Sequence, residues 1–203
     1  MDVLTRGVEL FQAGGPVIFL ILLCSFCVVT IFIERWLYYR SVNLLPKNFC
    51  KEFDELLEKK DFGAAVEYCR KTKSFAAGIA IAGISCLKES SAHLESVVES
   101  EAVLQVGKLR ENINHLESIV TVAPLLGLLG TVVGMIDSFK VMNIKNGEPM
   151  AITGGVGEAL TATAFGLCVA ILAMAAYSYF SHRLNKVITD IEEVSALLIR
   201  RIK

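Results

Sequence analysis

The sequence predicts an all-α membrane protein with three transmembrane helices, spans two and three running on into the cytoplasm as long helices. Three observations carry that reading. Of the 203 residues, 54% are apolar, and the mean hydropathy is +0.55, above what an ordinary soluble domain carries. The apolar residues are gathered into long blocks with the charges between them, not spread as a single core would spread them. No stretch alternates with period 2 over the length of a barrel strand, which argues against a β-barrel. With 20 Lys+Arg against 21 Asp+Glu, the net charge of −1 removes a broad electrostatic case for nucleic-acid binding.

The first block is uncharged from Leu10 to Ile33 and ends at Glu34-Arg35-Trp36. The second is uncharged from Ser118 to Ile136, and the third from Ala159 to Ser181. Each reaches the roughly 18 residues needed to cross about 30 Å of hydrocarbon. In lipid the backbone must satisfy itself, so each is a helix. A signal peptide is the competing reading of the first block. It would need a basic start and a run of about 7–15 apolar residues; here Asp2, Arg6 and Glu9 roughly cancel and the run is longer.

The basic residues orient the spans. Lys and Arg crowd the segment between spans one and two and the tail, while Arg6, Lys140 and Lys145 stand alone on the other side. The positive-inside rule places the crowded side in the cytoplasm and the N-terminus outside. The expected organisation is an outer-face amphipathic segment 1–15, transmembrane helix 1 at 16–39, and short cytoplasmic helices at 40–90. The cytoplasmic part of long helix 2 follows at 91–117, then transmembrane helix 2 at 118–142 and an outer loop at 143–154. Transmembrane helix 3 takes 155–181 and a cytoplasmic C-terminal helix takes 182–203.

Within 40–90, Phe49, Phe53, Leu56 and Leu57 make one helical stripe and Ala64, Ala65, Tyr68 and Cys69 another, with Asp61 and Gly63 as punctuation. Ser90 or Ser91 offers an N-cap. Beyond it, apolar residues recur near the helical period from Leu94 into span two, which predicts one unbroken helix from about 91 to about 142. In the tail, Leu184, Val187, Ile188, Ile191, Val194, Leu198 and Ile202 share a face. That face needs a partner, expected to be the long second helix or its copy in a neighbouring subunit.

Lipid supplies no hydrophobic drive between helices, so packing needs small residues. Span two has Gly127, Gly130 and Gly134 on one face, and span three has Ala162, Gly166 and Ala170 as a ridge. Span one has no such ridge. Spans two and three are therefore expected to be the inner pair, with span one facing lipid. Pro124 removes a backbone donor in span two and should bend it, with Thr121 placed to bond a freed carbonyl.

Glu158 follows Gly154, Gly155 and Gly157 and opens the third apolar run. An ionised carboxylate at mid-bilayer costs on the order of 3 kcal/mol or more. Desolvation disfavours the charged form, and copies around an axis would repel. A carboxyl poised between its two forms suits proton transfer. The alternative is that Glu158 marks the outer end of the span in headgroup water. Asp137 poses the same question with the interfacial reading ahead. Thr131, Thr161 and Thr163 could line a polar path or bond back to their own helices.

These residues resemble the ExbB/TolQ/MotA proton-channel family. The stretch from Ala123-Pro124-Leu125-Leu126-Gly127 through Gly130-Thr131 to Gly134-Met135-Ile136 is similar to its second-span signature. Glu158-Ala159-Leu160-Thr161-Ala162-Thr163-Ala164-Phe165-Gly166-Leu167 is similar to its third. Gly14-Gly15-Pro16 and Glu34-Arg35 resemble its first span, and the glutamate favours the ExbB or TolQ branch. The resemblance implies a homopentamer in the bacterial inner membrane, with a pore lined by spans two and three. It also implies an ExbD/TolR-like single-span protein in that pore, and leaves room for a TonB/TolA-like protein. The implied function is the pore-forming subunit of a proton-motive-force-driven motor serving outer-membrane transport or envelope maintenance. Glu158 matches the signature glutamate, and Thr131 and Thr163 its threonines. In Ala170-Ile171-Leu172-Ala173 a leucine stands where the branch has proline, which should leave span three straighter.

Glu158 and Thr163 lie about 140° apart around a helix. They therefore flank a pore, or one of them faces a neighbouring helix. A structural membrane scaffold without an ion path remains the alternative. A thiol oxidoreductase using Cys24 and Cys27 is weaker, because a lone pair inside a span is a poor motif. The six cysteines give no disulfide framework, and His93, His115 and His182 lack ligand spacing. No catalytic residue, metal site or cofactor is expected.

Overall fold

The computed structural model describes residues 16–41, 45–72, 74–86, 93–144 and 149–202, with the side chains of 141–144, 149–153 and 158 outside that description. The expected outer segment 1–15 and the N-cap at Ser90 or Ser91 lie outside the described residues. Those residues form α1 Val17–Ser41, α2 Phe49–Glu58, α3 Phe62–Thr72, α4 Phe75–Cys86, α5 Leu94–Arg110, α6 Ile113–Ile144 and α7 Pro149–Ile202. No strand occurs among them. Three helices, α1, α6 and α7, are long and apolar enough to cross a membrane. The all-α membrane fold with three spans is as expected, and α7 continues without a break from the third span through the tail.

The chain divides into two compact units. The first holds residues 1–34 and 112–178, and the second holds 35–111 and 179–203. In the first, α1 buries only Val17, Ile18, Ile21 and Val28, and exposes Phe19, Leu20, Leu22, Leu23, Phe26, Val29, Phe32 and Ile33. A helix that exposes such residues suits a hydrocarbon solvent, as expected of span one. The first unit's part of α7 buries Ala159, Ala162, Val169, Ala170, Ala173 and Ala176.

The second unit's part of α7 buries a stripe of larger residues: Leu184, Val187, Ile191, Val194 and Leu198. The change of size follows the solvent. Away from lipid, large aliphatic side chains are driven together by burial from water; in lipid, close backbone approach takes over. The tail's face is met by α4 and α5, since the space beside Gly83 is filled by Leu198, Val98 and Leu94. Arg201 forks onto Asp54 of α2, its Nε and Nη2 each donating at 2.8 Å. Helix α5 is the first part of the expected long second helix, so that partner is met within the chain, and α4 joins it.

Phe49, Phe53 and Leu57 of α2 and Ala65 and Cys69 of α3 are buried, following the predicted stripes. Asp61 caps α3 by accepting the Ala64 N–H at 3.0 Å, whereas Gly63 lies inside the first turn of α3. Lys60, at φ 55°, turns the chain between α2 and α3. Helix α4 was not singled out in the sequence. It is apolar on nearly every side, too short to span a bilayer, and capped by Ser74, whose Oγ accepts the Ala77 N–H at 3.1 Å.

The unbroken helix from about 91 to about 142 is corrected to two helices. Glu111 leaves helical geometry at φ −50°, ψ 140°, and Asn112 takes a left-handed conformation at φ 63°, which asparagine tolerates better than most residues. The periodicity of apolar residues continues across this break, so the pattern alone hid it. Side chains from α1 bond the end of α5. The Tyr39 hydroxyl donates to the Leu109 carbonyl at 2.9 Å. The buried Arg35 guanidinium donates to the Lys108 and Leu109 carbonyls at 3.4 and 3.5 Å. A helix end has carbonyls without intrahelical partners, and here they are met by donors from elsewhere in the chain. In the first unit, Asn112 donates to Glu34 at 3.3 Å.

Candidate functional site

The seam between α6 and α7 holds most of the residues singled out in the sequence. A Cβ added at Gly166 would stand 2.6 Å from the Ala123 carbonyl oxygen and 3.0 Å from the Gly127 Cα. One added at Gly127 would stand 3.0 Å from the Thr163 Cα, and one at Gly130 would stand 2.6 Å from the Ala162 Cβ. Gly134 meets Ala159, and Gly155 leaves room for the Ser138 side chain. As the contacts advance along α6 they retreat along α7, so the two helices are antiparallel. Gly127, Gly130, Gly134, Ala162 and Gly166 thus act together in one packing face, and Ala170 is buried further along α7. Ala123, Ser138 and Gly155 belong to the same face and were missed. The signal was present, since Ser138 lies one turn beyond Gly134 on the glycine row.

Pro124 lies inside α6. Thr121 donates to the Glu117 carbonyl at 3.3 Å, which corrects the expectation that it would take a carbonyl freed by the proline. A threonine back-bonds most readily one turn behind itself, whereas Pro124 releases the carbonyl of Val120, four residues before it.

The candidate threonines are all donors to backbone. Thr163 donates across the seam to the Gly127 carbonyl at 2.8 Å. Thr131 donates to Leu128 at 2.6 Å, and Thr161 to Gly157 at 2.8 Å. A hydroxyl that has given its proton keeps lone pairs that can accept, so each remains an acceptor. Of the two arrangements open for Thr163, its facing a neighbouring helix is the one seen within the chain.

Glu158 lies in the helical backbone of α7; its side chain is outside the described residues. Its level is fixed by the next residue. Ala159 is buried against Gly134, and Gly134 is about one turn from Thr131 along α6. Asp137 is exposed and pairs with Lys140 at 2.9 Å, in keeping with an interfacial position. Gly154 and Gly157 have open space where a side chain would be.

Cys24 and Cys27 are half-buried free cysteines on α1. In the second unit, burial and then a bond to Glu193 push the Cys50 thiol up to about 12. Burial alone pushes Cys69 to about 12. Thiols held protonated in this way are poor nucleophiles. Among the described residues no group of three His, Cys, Asp or Glu could hold a metal ion.

A family model described as the MotA/TolQ/ExbB proton channel family matches residues 71–193. The chain is 27% identical over 93% of its length to a protein named as a putative biopolymer transport protein ExbB homolog from Methanothermobacter thermautotrophicus, of which 68% is covered. It is 32% identical over 83% of its length to a putative ExbB-like biopolymer transport protein of Synechocystis, again covering 68%. A shorter similarity, 38% over 39% of this chain and 37% of the relative, links it to a Tol-Pal system protein TolQ of Pseudomonas aeruginosa.

Proposed function

The chain belongs to the MotA/TolQ/ExbB proton channel family, and we propose that it is the pore-forming subunit of an inner-membrane motor driven by the proton-motive force. Copies of the chain, five in the assembly that family resemblance implies, surround a pore lined by α6 and α7. An ExbD/TolR-like single-span protein occupies the pore, and a TonB/TolA-like protein can join it. The N-terminus is outside and the C-terminus cytoplasmic. The work done is biopolymer transport or envelope maintenance at the outer membrane; biopolymer transport is the role that the names of the ExbB relatives carry. No covalent chemistry is assigned to the chain.

The observation that supports this best is the level of Glu158. The α6–α7 seam is packed at its glycines from Ala123–Gly166 to Ser138–Gly155. The backbone of Glu158 immediately precedes Ala159, which meets Gly134 about a turn from Thr131. In this reading Glu158 exchanges the proton, and Thr131 and Thr163 offer acceptors along the path. Thr161 and Asp137 are secondary candidates. The test is dissipation of a pH gradient by proteoliposomes holding the chain and its partner. Glu158→Gln should reduce the flux severalfold, and unchanged flux would count against the motor.

A second reading, a scaffold without an ion path, is favoured by one observation: every candidate threonine hydroxyl already donates its proton to a backbone carbonyl. It expects full activity when Glu158, Thr131 and Thr163 are all made apolar.

A further inference from the structure

We propose that the second unit carries a binding site for the headgroup of an anionic phospholipid, built by Arg40 and Arg183 beneath the aromatic pair Trp36 and Tyr179. Trp36 of α1 and Tyr179 of α7 stack with ring centroids 5.7 Å apart at 25°, and both rings are partly exposed. The two helices run the same way here, each from its span toward the soluble part of the chain. One turn beyond each aromatic, on the same helix face, stands an arginine: Arg40 after Trp36 and Arg183 after Tyr179. Stacking the rings therefore sets the two arginines at one edge.

The state of these cations indicates an anion. Arg183 donates one N–H to the Tyr39 carbonyl at 3.2 Å and lies 5.9 Å from the Tyr179 ring centroid. A guanidinium has five donors in a planar fork that suits phosphate, so among the described residues most of its donors remain unused. Arg40 is exposed, and among the described residues neither arginine has a carboxylate partner. The nearest acids along the same helices are engaged elsewhere, Glu34 with Asn112 and Asp190 with the Leu45 N–H at 3.3 Å. Lys186, exposed one turn beyond Arg183, adds positive charge.

The same surface indicates that the anion belongs to a lipid. Tryptophan and tyrosine favour the level of the headgroups. Next to Trp36, α1 exposes Leu37, an apolar track for an acyl chain. A phosphate on the arginines and a chain along this track fit one amphiphile, and a free phosphate would use only half of the surface.

The chain contains a single tryptophan, Trp36, so its fluorescence reports the site directly. The full chain is reconstituted with brominated phosphatidylglycerol or brominated phosphatidylcholine, and quenching is followed against mole fraction. The anionic lipid is expected to quench at about tenfold lower mole fraction. Arg40→Gln and Arg183→Gln should each weaken that preference about fivefold, and the double variant should abolish it. Arg40→Gln carries the test if Arg183→Gln does not fold, because among the described residues Arg40 has no partner to lose. Equal quenching by both lipids, or a double variant with its preference intact, would overturn the proposal. So would an equal loss in Lys51→Gln, which would mean diffuse attraction only. Displacement of the anionic lipid by millimolar inorganic phosphate would assign the arginines to a soluble anion and overturn the lipid assignment.

Discussion

The Thr163 hydroxyl crosses from one span to the next, donating to the Gly127 carbonyl at 2.8 Å, and Gly127 has no side chain to hold the two backbones apart. Thr163→Val keeps the shape and removes the donor. Bonds of this kind between membrane helices average about 0.6 kcal/mol, so unfolding in mixed detergent should show a loss of that size, and Thr163→Ser should restore it. Under the proposed function, proton flux in proteoliposomes falls in Thr163→Val by more than this small loss accounts for. Proportionate losses would leave Thr163 a packing residue.

The glycines of the seam are separable from glycines elsewhere by what a methyl group would meet. At Gly166 it would press on the backbone of Ala123 and Gly127, which cannot turn aside. Gly166→Ala should therefore force α6 and α7 apart and cost about 1–3 kcal/mol. At Gly78 in α4 there is nothing within 4 Å, and alanine there should stabilise by about 0.5–1 kcal/mol through its better helix propensity. Thermal midpoints of the two variants should move in opposite directions.

Tyr39 is 2% exposed and its hydroxyl serves the last turn of α5. Tyr39→Phe removes that donor and leaves the ring packed near Phe180, at 5.7 Å between centroids. The expected cost is about 1 kcal/mol, with faster amide exchange confined to the residues around Leu109–Ile113. A uniform rise in exchange throughout the second unit would show instead that Tyr39 matters through packing.

What could be read in advance followed from composition and period. Three spans, the small-residue faces of α6 and α7, and the buried tail stripe all repeat over many residues, and repetition makes a pattern legible. The break at Glu111–Asn112 was hidden because it depends on one left-handed residue and on donors from Arg35 and Tyr39, some seventy positions earlier. Helix α4 was overlooked for the opposite reason: it is apolar on nearly every side, so it has no polar face to reveal its period. For the candidate site, the residue types were readable but their partners were not. Nothing in the order of Thr131 and Thr163 says that one bonds its own helix and the other the next.

The ion pair between Asp54 and Arg201 gives the second unit a pH dependence whose direction follows from its geometry. The forked hydrogen bonds from Arg201 hold the Asp54 carboxyl below its ordinary range. An aspartate whose folded value is depressed stabilises the fold above its unfolded value, about 3.9. That stability is lost as the pH falls through the folded value. Asp54→Asn should therefore lower the thermal midpoint slightly at pH 7, and the gap between variant and parent should close below about pH 3.9. Because Arg200 and Glu58 at the edge of the cluster are exposed and Asp54 is itself partly open to solvent, added salt should shrink the gap. A gap that persists unchanged to pH 2, after the carboxyl is protonated, would assign the effect to packing by Asp54 and not to its charge.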